Sequence, residues 1–176
     1  MSNDKKLILK TSLITVAGVA LAALIVFSMW ILISPQTMAS AAEKTGNYSF
    51  AVTCADLRYS YTKADEDLAR CTDDSILSGK DKLVIKYGEK LLALKDFDGV
   101  CAARGVNYKS FVCANIAVSQ YRLKDLDTAI KTADLAGTEE GYIKLTLEVL
   151  NGNNQEEKQQ LKNELKDKYS DLANLL

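Results

Sequence analysis

The chain has 176 residues with 22 basic and 23 acidic side chains, a net charge of −1. That balance argues against a general affinity for nucleic acid, and a hydrophobic content of 48% argues against disorder. There is no histidine, which removes the usual general base and the commonest metal ligand, and one proline with nine glycines favours an all-α fold over a turn-rich β-fold.

Taken from the start, residues 1–10 carry Lys5, Lys6 and Lys10 and precede an uncharged run from Thr11 to Ser34. As a helix that run reaches about 36 Å, enough to cross a hydrocarbon core of ~30 Å with some tilt. Trp30 suits the far interface, Ser34-Pro35 is a helix stop, and the lysines favour a cytoplasmic amino terminus with the rest of the chain exported. The expectation is an uncleaved single-pass anchor in the cell membrane. The alternative is a signal peptide cut after Ala41, since Ala39-Ser40-Ala41 has the small-x-small form. Against it, a cleavable apolar region usually has only ~7 to 15 residues. Gly18 and Ala22 form a small-xxx-small pair suited to association with a second membrane helix, or are ordinary membrane-helix filler.

Residues 35–46 are small and polar with no apolar period and read as a short linker, so the soluble domain is expected over 47–176. With Lys5, Lys6, Lys10 and Asp4 set aside, the remaining chain has 19 basic and 22 acidic residues, about −3. This disfavours binding to anionic lipid or nucleic acid.

An internal repeat shows most clearly in Leu94-Lys95-Asp96-Phe97-Asp98 against Leu123-Lys124-Asp125-Leu126-Asp127, an offset of 29 residues. Each block follows one helical pattern and opens another, and a third turn lies at Asn151-Gly152-Asn153. Upstream, Tyr61 and Ala69 keep the gap seen between Tyr121 and Ala129. Four helical hairpins are expected. Residues 155–176 place Leu161, Leu165, Tyr169, Leu172 and Leu176 on a narrow apolar stripe and read as a capping helix, with a coiled-coil arm as the alternative.

The best-defined hairpin, Asn115 to Ala136, resembles the tetratricopeptide repeat: Asn115, Ala117, Tyr121, Leu123, Asp125, Ala129, Ile130 and Ala136 fall at that family's spacings. The resemblance implies a short helical-hairpin solenoid over residues 48 to about 170, although the period of ~29 to 31 is shorter than the family's 34 and the closing proline is missing. A non-repeat helical bundle is the other architecture these elements fit. The resemblance also implies a groove lined by the first helices of successive repeats, accepting a peptide segment or helix of a protein partner. By position it would carry Ile85, Glu89, Phe111, Val118, Tyr121, Arg122, Ile143 and Leu147, with Arg58 as a further cation; a one-residue slip in register would turn the apolar ones into core.

Cys54, Cys71, Cys101 and Cys113 lack the spacing of a zinc site. In antiparallel hairpins Cys54 lies level with Cys71 and Cys101 with Cys113, so two disulfides are expected with those pairings. The alternative is four buried thiols. On a strict repeat register Cys54 would face the groove and Cys71 the back, which conflicts with the first bridge. Asn47-Tyr48-Ser49 matches a glycosylation acceptor only at the level of chance, and Asp73, Asp74, Asp96 and Asp98 read as caps and solvated faces.

Enzymatic activity would need a cysteine nucleophile without histidine or a carboxylate pair in a cleft, and the spacing supplies neither. No catalytic residue, cofactor or metal is therefore expected. The reading is a membrane-anchored protein-protein interaction scaffold; the alternative is an accessory subunit that packs into a membrane complex through its span.

Overall fold

The structure, a computed structural model, describes the backbone from Asn3 to Leu176 and the side chains from Thr11 onward. The side chains of Lys5, Lys6 and Lys10 in the expected cytoplasmic tail lie outside the described residues. Among the described residues there are eleven helices and no strand, in keeping with the all-α expectation.

Helix α1 runs from Asn3 to Ile33, and its segment Thr11–Ile33 is long and apolar enough to cross a bilayer. Every side chain from Thr11 to Trp30 is exposed. The hydroxyls of Thr15 and Ser28 donate to the Thr11 and Leu24 carbonyls one turn back, which satisfies them within an otherwise apolar helix.

Where a linker is expected, the chain forms helix α2, Pro35–Lys44. Ser34 leaves the helical region, and Pro35 restarts the helix at a position where its missing N–H costs nothing. Met38, Ala39 and Ala42 lie on one face and are buried against α3, Tyr48–Thr62. Two arginines fasten the outer face. Arg70 donates to Glu43 and Ser40, both at 2.8 Å, and Arg58 donates to Gln36.

Eight further helices follow in pairs along the chain. Helix α3 pairs with α4, Asp65–Ser78, across a turn in which Lys63 adopts left-handed geometry. Helices α5, Asp81–Leu92, and α6, Phe97–Arg104, come next, then α7, Tyr108–Arg122, with α8, Leu126–Asp134, and α9, Glu140–Asn151, with α10, Gln155–Leu165. The second of the four expected hairpins does not close on itself: α5 packs against α4 and α7, and α6 against α7 and α4. The repeated Leu-Lys-Asp motif marks equivalent places: Asp96 caps α6 by accepting from Gly99 N–H at 3.2 Å, and Asp125 caps α8 by accepting from Thr128 N–H at 3.0 Å. Helices α6 and α8 are shorter than the helices that precede them.

Helix α7 is the centre of the domain. Ten of its fifteen residues are buried, so it is apolar on several faces, as a helix enclosed by neighbours must be. Through Val112 and Ile116 it joins a core built with Val52, Leu68, Tyr87 and Leu91; through Ala117 and Tyr121 it joins a second core with Ala129, Ala133, Tyr142 and Leu145. Its crossing with α5 is close. A Cβ on Gly88 would lie 2.5 Å from the Ile116 side chain, so any larger residue would force Ile116 to shift.

The expected single capping helix over 155–176 is instead α10, a turn, and the one-turn helix α11, Ser170–Ala173. The apolar stripe is used in full. Leu161 and Leu165 are buried in the second core, and the turn folds Tyr169, Leu172 and Leu176 back onto it, with the Tyr169 ring 5.6 Å from that of Tyr142. A straight helix would carry those three beyond the core they cover.

Candidate functional site: a cleft along α5, α7 and α9

Packing of α5 and α9 on either side of α7 leaves a cleft of about 300 Å³. Its apolar wall comes from Ile76, Val84, Val118 and Leu147, and its polar wall from Asp81, Asn115, Ser119, Arg122, Lys144 and Glu148. A second depression of about 320 Å³ adjoins it, lined by Phe111, Ala114 and Ile143, and Lys144 belongs to both. Phe111, Ile143 and Leu147 are exposed, forming an apolar strip on an otherwise charged face.

Arg122 pairs with the two acids of the cleft, and Lys144 is held by a neutral amide and an aromatic ring. Arg122 clamps Glu148 through two hydrogen bonds, 2.7 and 3.1 Å, and approaches Asp81 at 3.7 Å. The hydrogen bonds from Arg122 hold the Glu148 carboxyl below its usual pKa. Ser119 donates to Asp81 at 2.9 Å, and Lys144 donates to Asn115 at 3.0 Å while lying 5.4 Å from the Phe111 ring centre. Each bond spans two helices, so the cleft is held in shape by its own lining. The cleft thus offers preformed apolar surface flanked by amide, carboxylate, guanidinium and ammonium groups.

Of the residues expected in a groove, Val118, Arg122 and Leu147 line the main cleft and Phe111 and Ile143 the adjoining depression. Ile85 is half-buried and Glu89 exposed on α5, and neither lines the cleft. Tyr121 is core: it is 8% exposed and its hydroxyl donates to Glu157 at 2.8 Å. Arg58 lies away from the cleft, donating to Asp67 at 2.7 Å and to Gln36. Asp81, Ser119, Lys144 and Glu148 were absent from the sequence expectation. A signal existed for one of them, since Lys144 follows its partner Asn115 by 29 residues, the repeat offset.

All four cysteines are free buried thiols in the structure. Cys54 packs with Met38 and Ala39, whereas Cys71 belongs to the first core, so the expected partners face different clusters. Cys101 and Cys113 come from the adjacent helices α6 and α7, and each lies in reach of Lys109 and Asp98. Burial pushes the Cys71 and Cys113 thiols up to about 12, which leaves them protonated at neutral pH.

Of two acids expected as caps or solvated groups, Asp73 is half-buried and Asp74 buried. Asp73 accepts from Tyr108 at 2.7 Å and pairs with Arg104, which also holds Glu66 at 2.6 Å, so α6 is bolted to α4 and α7. Asp74 is 2% exposed beside Glu43 and Arg70, and burial raises its pKa to about 7.

Comparison with protein-family models, with curated proteins and with solved structures returns no match for this chain.

Proposed function

We propose that the chain is a membrane-anchored, extracytoplasmic scaffold of tetratricopeptide-like design that binds a protein partner in the α5–α7–α9 cleft. The supporting observation is the exposed strip of Phe111, Ile143 and Leu147 beside a cleft in which Arg122 is paired with Glu148 and Lys144 is bonded to Asn115. Such a surface offers apolar area and hydrogen-bond groups while repelling neither charge sign, which suits a peptide segment or amphipathic helix. The apolar Thr11–Ile33 segment would confine the cleft to a thin layer above the bilayer and raise its effective concentration for membrane-bound partners. The test is co-purification from native membrane with full-length protein. Leu147→Glu together with Phe111→Ala is expected to lose the partner while the domain stays folded; unchanged recovery of the same partner would contradict the cleft as the binding element.

The second reading, an accessory subunit, is favoured by the exposure of the span from Thr11 to Trp30, in which a Cβ on Gly18 would meet nothing within 4 Å and Ala22 lies one turn on. In that case Gly18→Leu with Ala22→Leu, rather than the cleft variant, would release the partner. Orientation is tested separately. A membrane-impermeant amine reagent applied to intact cells should label the exposed Lys82 and Lys131 if the domain is outside.

A further inference from the structure

We infer that the amino-terminal turn of α3, Tyr48 to Phe50, is seated in the lipid interface, so that the helical domain rests on the bilayer surface. The inference rests on the anchor reading above and adds to it a second, independent membrane contact. The Phe27 ring, inside the apolar segment of α1, stacks on the Phe50 ring with centroids 6.2 Å apart and planes 16° from parallel. Ile31 packs with Phe50, Met38, Ala39 and Cys54 in one cluster. At a rise of ~1.5 Å per residue Phe27 lies about 9 Å back from Ile33, and the whole segment reaches ~34 Å. Centred on a hydrocarbon core of ~30 Å, it overhangs by only ~2 Å at each end, which leaves Phe27 ~7 Å inside the boundary. A ring in stacking contact with it is at that boundary or within it.

Two further observations point the same way. Helix α2 does not act as a loose spacer, because its buried Met38 and Ala39 and the Arg70 bonds to Glu43 and Ser40 fix the domain to the end of α1. The segment 44–50 has one cation, the exposed Lys44, and no acid, although the exported part of the chain is net acidic. Tyr48 and Phe50, preceded in the chain by the exposed Lys44 and accompanied by Asn47 and Ser49, match the chemistry of the headgroup layer, where tyrosine rings and lysine side chains partition their apolar and polar ends.

The test uses the full chain in vesicles of phosphatidylcholine and phosphatidylglycerol, with Trp30, the sole tryptophan, changed to Phe. Tryptophan is then placed singly by Phe27→Trp, Phe50→Trp and Tyr48→Trp. Expected is a blue-shifted Phe50→Trp emission quenched about twofold by lipid brominated near the headgroup end of its acyl chains, with Tyr48→Trp quenched at a shallower depth. If Phe50→Trp disturbs folding, Tyr48→Trp decides alone. Quenching of Phe27→Trp with both α3 positions open to aqueous acrylamide would overturn the inference and leave the anchor standing. If Phe27→Trp also escapes brominated lipid, the anchor reading fails and the inference with it.

Discussion

The Tyr121 hydroxyl donates to Glu157 at 2.8 Å, tying the central helix α7 to the closing helix α10. The ring itself fills the second core with Leu126, Ile130 and Val149. Tyr121→Phe keeps the ring and removes the bond, and should cost about 1 kcal/mol in urea unfolding of the full chain. Tyr121→Ala should cost about 3 to 5 kcal/mol. Equal effects of the two would show that the ring is not core.

Gly88→Ala offers a test of the α5–α7 crossing. Alanine is the better helix former by about 1 kcal/mol, so an open site would be stabilised. Here the new methyl meets Ile116 at 2.5 Å, and a net destabilisation of about 1 to 2 kcal/mol is expected. Trimming the neighbour by Ile116→Val should recover part of it, giving a non-additive double-mutant cycle.

Most of the hairpin order is legible in the sequence because turn chemistry and helix period agree. Asp96 and Asp125 stand at equal places in the repeated motif and do cap α6 and α8. Helix α2 escapes such a reading because its buried face is Met38 and two alanines, too weak a pattern to separate from a polar linker. Tyr121 and Phe111 occupy the same helix and the same residue class, yet one is interior and one exposed. Only the docking of α9 and α10 decides between them. Asp73 and Asp74 differ from expectation for a related reason: adjacent acids look solvated until Arg104, Tyr108 and α2 are brought over them from distant positions. Of the cleft, Val118 and Leu147 follow from register, whereas Ile76, Val84 and the Arg122 clamp on Glu148 depend on how the helices pack.

Asp74 makes stability depend on pH in a defined direction. Burial and the Glu43 carboxylate from α2 raise its pKa, Arg70 opposes them, Asp73 adds to them, and Cys54 of α3 lies nearby. With a folded value of about 7 against 3.8, the native state holds a proton the unfolded chain has released. Stability carried by the neutral acid is therefore complete below about pH 4 and declines as pH rises toward 7, on the order of 1 kcal/mol per pH unit. Asp74→Asn should flatten that slope, read by urea unfolding at a series of pH values; an unchanged slope would assign it elsewhere.

The cysteines make a separable prediction. Export would expose them to oxidation, and only Cys101 and Cys113 lie in reach of a common pair of charged neighbours, whereas Cys54 and Cys71 pack into different clusters. Alkylation without reductant followed by mass spectrometry should find one bridge, Cys101 to Cys113, and two alkylated thiols at Cys54 and Cys71. Four alkylated thiols would remove the bridge, and two bridges would restore the pairing expected from hairpin symmetry.

The most direct test of the scaffold reading is photocrosslinking of full-length protein in its native membrane. A photoreactive residue at Leu147, in the cleft, should capture a discrete protein, and the same group at Gln160, on α10 outside the cleft, should not. Capture from Gln160 or from Gly18 with none from Leu147 would contradict the cleft as the binding surface.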